Sequence, residues 1–163
     1  MITYERVREL FNYDDGLLRW KMKPCKTSSV VIGSIAGSVR NTDGRRRIRV
    51  DKKFYYSYQL IYLYFHRVIP GYIDHVNGNT GDDRIHNLRE CNMSQNNMNS
   101  VTPKHNKSGA KNVHWSSRDS KWIVKLKVNK IYKHIGCFDD FELAELVASE
   151  AREKYHGPFI CRR

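Results

Sequence analysis

At 163 residues the chain suits one domain or two small ones, and neither piece could bury a large core by itself. Its 29 Lys and Arg against 17 Asp and Glu leave a net charge of +12, a balance that points to a polyanionic partner and first to nucleic acid. No apolar run reaches spanning length, since YQLIYLYFHRVI is interrupted by Gln59, His66 and Arg67, which argues against a membrane protein. The cysteines Cys25, Cys91, Cys137 and Cys161 stand far apart, with no CxxC pair and no signal peptide, and read as reduced thiols of a soluble intracellular protein.

In chain order, TYERVRELFNY predicts a helix capped by Thr3, with Val7, Leu10 and Phe11 on one face and DDG as its stop. LLRWKM reads as a strand and TSSVVIGSIAGS as a flexible small-residue stretch. RRRIRVDKKFYYSY alternates and turns at Asp51 and Lys52, a hairpin around which Arg45, Arg46, Arg47, Arg49, Lys52 and Lys53 crowd. Those bases fit direct phosphate contact and a solvated hairpin face equally well. YSYQLIYLYFH then predicts a helix whose Leu60, Ile61, Tyr64 and Phe65 recur at core spacing.

The stretch from Ile73 to Asn99, IDHVNGNTGDDRIHNLRECNMSQNNMN, spends asparagine heavily after an adjacent acid and histidine. YIDH reads as a short strand, VNGNTGDDRIHN as a turn-rich loop, LREC as an antiparallel return, and MSQNNMNS as a helix start with Ser94 as its cap. In such a unit Asp74 and His75 at one strand end could meet Asn96 in the first helical turn. A hard divalent cation accepts a carboxylate and an amide oxygen and keeps water in its other positions. A neutral imidazole beside it can take a proton from water, and hydrolysis of a phosphodiester needs both elements. His86 beside Asn87 could suggest zinc with His75 and Cys91, but neither spacing nor a fourth ligand supports it, and a loop histidine is preferred. His66, His105 and His156 suit surface or structural places.

The run DHVNGNTGDDRIHNLRECNMSQNNMN resembles the HNH endonucleases, particularly the phage and intron-encoded branch with DHxxGNxxDNRxxNLRxxTxxxNxxN. The resemblance implies a ββα-metal fold in which Asp74 and Asn96 hold one Mg²⁺ or Mn²⁺ and His75 is the general base. Asn87 would brace the loop and orient the histidine, and Asn97 and Asn99 are reserve ligands. The sequence departs from that pattern in two places. Asp83 stands where the branch usually has Asn, and Tyr58-Gln59 replaces the His-Arg that commonly opens the preceding helix.

VTPKHNKS, from Val101 to Ser108, reads as a linker. Beyond it NVHWSS, KWIVKLKVN and KIYKHIGCF predict three strands, with turns at RDS and NK, and DDFELAELVASEAREKYHG predicts a helix ended by Gly157 and Pro158. Val124 and Leu126 alternate with Lys125 and Lys127, giving the sheet one apolar and one basic face. The helix should cover the apolar face with Leu143, Leu146, Val147 and Ala151. Nine Lys or Arg and one acid lie from Val101 to Phe138, against six acids and two bases from Asp139 to Cys161. Such segregation suits a β-sheet reader of the major groove.

SGAKNVHWSSRDSKWIVKLKVNKIYKHIGCFDDFELAELVASEAREKYHGPF resembles the Apetala/ethylene-response-factor type of DNA-binding domain. That likeness implies DNA contact through His114, Ser116, Arg118, Lys125, Lys127, Tyr132 and His134. It implies a core of Val113, Trp122, Ile135 and Phe138, with Trp115 open to either role. The expected fold class is α+β: an N-terminal hairpin and helix region, a ββα-metal HNH motif, and a three-stranded antiparallel sheet on one helix. The expected division is 1–100 for the nuclease, with its core about 72–100, then 101–108 as linker and 109–160 as the DNA-binding domain. The whole reads as a metal-dependent endonuclease of double-stranded DNA in a bacterial host cytoplasm, with no membrane and no obligate protein partner. Its alternatives are a DNA-binding regulator with an inactive HNH half and an RNA-processing nuclease.

Overall fold

The computed structural model describes residues 1–100, 102, 106–128 and 130–160. It is a mixed helix and sheet protein of four α-helices and small antiparallel sheets among the described residues, so the α+β class holds. The chain divides into two compact units, Met1–Cys91 and Asn92–Arg163. The expected linker at 101–108 therefore lies inside the second unit, and its Val101, Pro103, Lys104 and His105, like Asn129 and Cys161, lie outside the described residues.

In the first unit Thr3 caps α1 (Tyr4–Leu10), its hydroxyl accepting from the Arg6 N–H at 3.2 Å. Val7 and Leu10 are buried on that helix, but Phe11, expected on the same helical face, is already extended. It opens β1 (Phe11–Asp14), which pairs with β2 (Leu17–Trp20) around Asp15 and Gly16. Gly16 takes φ +90°, and a Cβ there would lie 2.9 Å from Arg84 Cγ, so glycine lets this turn press on a later loop.

A second sheet has the order β3 (Ser38–Val39), β4 (Arg46–Val50) and β5 (Lys53–Tyr56). Asp51 and Lys52 turn it with φ of 47° and 66°, the left-handed pair that matches the twist of a two-residue hairpin. α2 (Ser57–His66) buries Leu60, Ile61, Tyr62 and Leu63. Phe65, expected in the core, is instead 44% exposed and meets Tyr13 edge-on at 4.8 Å, because Tyr62 and Leu63 fill the inward positions. β6 (Tyr72–His75) and β7 (Leu88–Cys91) form the last pair of this unit, in a register that sets Asp74 opposite Arg89 and His75 opposite Leu88. Val7, Leu10, Phe11, Leu18, Ile48, Leu60 and Ile61 are its fully covered core.

The second unit begins with α3 (Met93–Met98). Its cap is Asn92 and not Ser94: the Asn92 side chain accepts from Gln95 N at 2.9 Å while the Gln95 side chain accepts from Asn92 N at 2.8 Å. The reciprocal pair begins the helix two residues before the serine could. β8 (Val113–Ser116), β9 (Lys121–Val128) and β10 (Ile131–Phe138) form an antiparallel sheet with β9 in the centre. α4 (Phe141–His156), capped by Asp140 through Leu143 N at 2.7 Å, packs on it. The inward face of α4 is Ala144, Ala148 and Ala151 with Phe141 and Tyr155, so that of the expected stripe Ala151 is buried and the two leucines are not. Leu143 and Leu146 are 48% and 57% exposed, since alanines one turn apart let the helix axis come closest to Val124 and Leu126.

Candidate functional site

The Asp-His pair ends β6, and both side chains are buried, Asp74 at 5% and His75 at 3% exposure. Antiparallel register supplies the partner of Asp74. Arg89 crosses from β7 and donates from Nε and Nη2 to the same oxygen, Oδ2, at 2.8 and 2.6 Å. Such a charge-assisted pair offsets the desolvation of a buried carboxylate.

His75 is held by two groups that sequence reasoning left without a role. Its Nε2 lies 2.9 Å from Oδ1 of Asp83, a side chain only 6% exposed. The ring of Tyr58, in the first turn of α2, meets the imidazole edge-on at 5.4 Å. A carboxylate only accepts, so the hydrogen of this bond sits on Nε2. Burial pushes the Tyr58 phenol up, against the opposing charge of Arg45, so it stays protonated. The signal for Asp83 was present in the sequence as the acid that departs from the HNH pattern it resembles.

The asparagines of the loop are structural. Asn87, in a 3-10 turn at Ile85–Asn87 and 4% exposed, accepts from Asn77 N at 2.9 Å. Its amide donates to Asn77 Oδ1 at 3.1 Å and to the Asp82 carbonyl at 2.8 Å. Asn77 and Asn79 cap the backbone two residues on, accepting from Asn79 N and Gly81 N at 2.8 and 3.1 Å. Asp82 collects Arg84 Nε at 2.8 Å, Arg84 Nη2 at 2.9 Å and Asn77 Nδ2 at 2.8 Å. The Arg84 guanidinium foremost, helped by Asn77, holds the Asp82 carboxyl down at about 2. The Asn87 carbonyl also accepts from Val76 N at 2.8 Å, closing the loop directly beyond His75.

Asn96 lies on α3 in the second unit and is exposed, as is Asn97, whereas Asn99 is 6% exposed. His86 is exposed on the 3-10 turn. Burial, then the charge of Asp74, pushes the Cys91 thiol up to about 11, which keeps it protonated and a poor metal ligand. Among the described residues no group of three or more His, Cys, Asp or Glu side chains is placed to hold a metal ion.

Of the hairpin bases, Arg45, Arg47 and Arg49 share one face with aromatic rings, while the Arg46 guanidinium turns away and donates to the Gly37 carbonyl at 3.0 Å. In the second unit, register gathers six of the expected positions on the sheet face away from α4. Tyr132 stands opposite Lys127, His134 opposite Lys125, His114 opposite Ile123 and Ser116 opposite Lys121. Lys127 Nζ lies 5.3 Å from the Tyr132 ring centroid. Burial, with Lys125 and His134 nearby, holds the His114 imidazole below its usual range. Arg118 sits in the β8–β9 turn, paired with Asp119 at 3.0 Å. Val113 is buried, Trp122, Ile135 and Phe138 pack on the core, and Trp115 is 47% exposed against Trp122. No helix among the described residues is long and apolar enough to cross a membrane.

The two units define a basic α+β protein of small antiparallel sheets, with a buried acid-histidine cluster in one and a basic sheet face in the other. No family model matches the chain. No solved structure matches it either. Over 90 residues it is 34% identical to protein 3.8 of Escherichia phage T7, a stretch that covers 54% of this chain and 72% of that protein. The chain belongs to the family of that bacteriophage protein.

Proposed function

We propose that the chain is a metal-dependent endonuclease of the HNH type that hydrolyses phosphodiester bonds of duplex DNA, by nicking or by double-strand cleavage. The observation that carries the reading is the imidazole of His75, fixed at the end of β6 by Asp83 on Nε2 and by the edge of Tyr58, beside the buried carboxylate of Asp74. In this reading Nδ1 of His75 takes the proton of the attacking water. Asp83 holds the ring in the tautomer that leaves Nδ1 unprotonated. Asn87 keeps the loop shut behind the ring through its three side-chain bonds, and so sets where Asp83 stands.

Asp74 offers a hard divalent ion that keeps most of its waters one buried carboxylate. When bound, Mg²⁺ or Mn²⁺ supplies charge stabilisation at the phosphoryl and leaving oxygens. The outward sheet face with Lys125, Lys127, Tyr132 and His134 holds the enzyme on DNA, chiefly through phosphates.

Arg89 favours a second reading, a DNA-binding regulator without cleavage, because its two N–H groups already hold Oδ2 of Asp74. Supercoiled plasmid incubated with the purified chain in Mg²⁺, Mn²⁺ or EDTA separates the two. Divalent-dependent nicked or linear product, lost in His75→Ala and cut at least ~10-fold in Asp83→Asn, is the expected result. Plasmid that is bound but unconverted under every condition rejects the nuclease and leaves the regulator.

A further inference from the structure

The outer face of the β4–β5 hairpin carries guanidinium groups and aromatic rings in alternation. Register sets Arg47 opposite Tyr56 and Arg49 opposite Phe54, and Tyr58 follows in the first turn of α2. The Arg47 guanidinium lies 4.4 Å from the Phe54 ring centroid and 5.9 Å from that of Tyr56. Arg45 lies 6.0 Å from Tyr56 and 5.1 Å from Tyr58, and Arg49 lies 5.8 Å from Phe54. The Tyr56 and Tyr58 rings stack at 5.5 Å and 18°, and Tyr58 then touches the His75 imidazole. One continuous line thus runs from the hairpin turn to His75.

Like Arg8 and Arg67, which lie over Tyr64 and Tyr4, these three arginines rest on rings and not on carboxylates, but only they line up along one hairpin face. Arg6, Arg19, Arg40, Arg84, Arg89 and Arg118 each sit on a carboxylate. Among the described residues no ion pair reaches the guanidinium of Arg45, Arg47 or Arg49. The nearby acids are engaged elsewhere, Asp43 with Arg40 at 3.0 Å and Asp51 with Arg6 at 3.1 Å. A guanidinium stacked on a ring keeps its N–H edge turned outward, is weakly hydrated, and matches phosphate geometry in pairs. Alternate positions of a strand recur at about 7 Å, comparable with successive phosphates along one nucleic-acid strand. Tyr56 and Tyr58 are part-buried and stacked on each other, which leaves bases little open face there, and Phe54 alone is open at 58% exposure, so three guanidiniums in line favour the sugar-phosphate backbone as the occupant.

We propose that Arg45, Arg47 and Arg49, braced on Phe54, Tyr56 and Tyr58, form a track for the phosphate backbone of a DNA strand and lead it to His75. Only the destination of the track rests on the nuclease reading; the contact itself does not. The test uses the full chain in EDTA, with a fluorescein-labelled DNA duplex followed by anisotropy across a salt series. Each neutralised contact lowers the slope of log K against log salt by about 0.9, so R45Q, R47Q and R49Q each lose roughly that and the triple variant about 2.7. Arg46→Gln, on the other face of the same strand, keeps the wild-type slope, and the single variants carry the test if the triple does not fold.

Unchanged slopes in R45Q, R47Q and R49Q overturn the track, and so does an equal fall in Arg46→Gln, which would mark a general field. A labelled abasic strand that loses most of the affinity of its base-bearing equivalent also overturns it, by assigning the contact to bases. The two readings fail separately. Lowered slopes with no plasmid cleavage sink the nuclease and leave the track, while cleavage with unchanged slopes does the reverse.

Discussion

Replacing Asn87 by Ala probes whether the loop behind His75 is built as its hydrogen bonds indicate. The substitution removes three side-chain bonds, at 2.9, 3.1 and 2.8 Å, from a residue that is 4% exposed. Each is worth about 0.5–1.5 kcal/mol net, and water can replace part of what the exposed Asn77 loses, so the expected cost is about 2–3 kcal/mol. For a unit of this size that is a fall of about 10–20 °C in the thermal transition of the first unit, followed by circular dichroism on the full chain. Asn87→Asp keeps the bond accepted from Asn77 N but turns carboxylate oxygen toward Asn77 Oδ1 and the Asp82 carbonyl, so it should destabilise at least as much as alanine. A fall under about 3 °C for Asn87→Ala would refute the reasoning, because surface substitutions that break no buried network give about that much.

Two further outcomes follow from the same coordinates. The Asp82 carboxyl, held at about 2 from an ordinary 3.8, stabilises the loop fully above about pH 4 and loses that contribution as pH falls toward 2. Hydrogen exchange at the loop amides of Gly81 and Arg84 should quicken over that interval in the wild type, and a profile matching that of Asp82→Asn would contradict the assignment. On α4, Ala148→Leu should cost about 1–3 kcal/mol by forcing the helix off the sheet, while Leu146→Ala stays within about 0.5 kcal/mol. Thermal melts that reverse this order would restore the leucine stripe as the packing face.

The sequence made the elements legible wherever a local signal was strong. The Thr3 cap, the Asp51-Lys52 turn, and the alternation of Val124 and Leu126 with Lys125 and Lys127 are all nearest-neighbour information, and the fold uses them as read. It misled where two local signals competed. Asn92 and Ser94 both suit a cap, and only the reciprocal bond with Gln95 decides between them. In α4, hydrophobicity favours the leucines, but close approach to a small sheet favours alanines, a fact about interaxial distance that no single helix carries. At the site, Asp74, His75 and Asn87 stood out by pattern. What the pattern could not supply was the neighbours that fold in from elsewhere: Arg89 across the β-ladder, Asp83 across the loop, and Tyr58 from a preceding helix.

Of the three residues that depart from the HNH pattern, Tyr58, Gln59 and Asp83, the first and last look in sequence like separate losses near a working centre. In the fold they touch the same imidazole, Tyr58 at its edge and Asp83 at Nε2. An asparagine at 83 could present either its oxygen or its amide to the ring; a carboxylate can only accept, which puts the hydrogen of the bond on Nε2. Tyr58 adds what Asp83 lacks, a wide apolar wall that limits tilting of the ring, while its other neighbours, Arg45 and Tyr56, belong to the arginine-lined hairpin. The departures therefore constitute one arrangement: the acid selects the nitrogen, and the tyrosine joins the imidazole to the surface along which a phosphate chain would reach it.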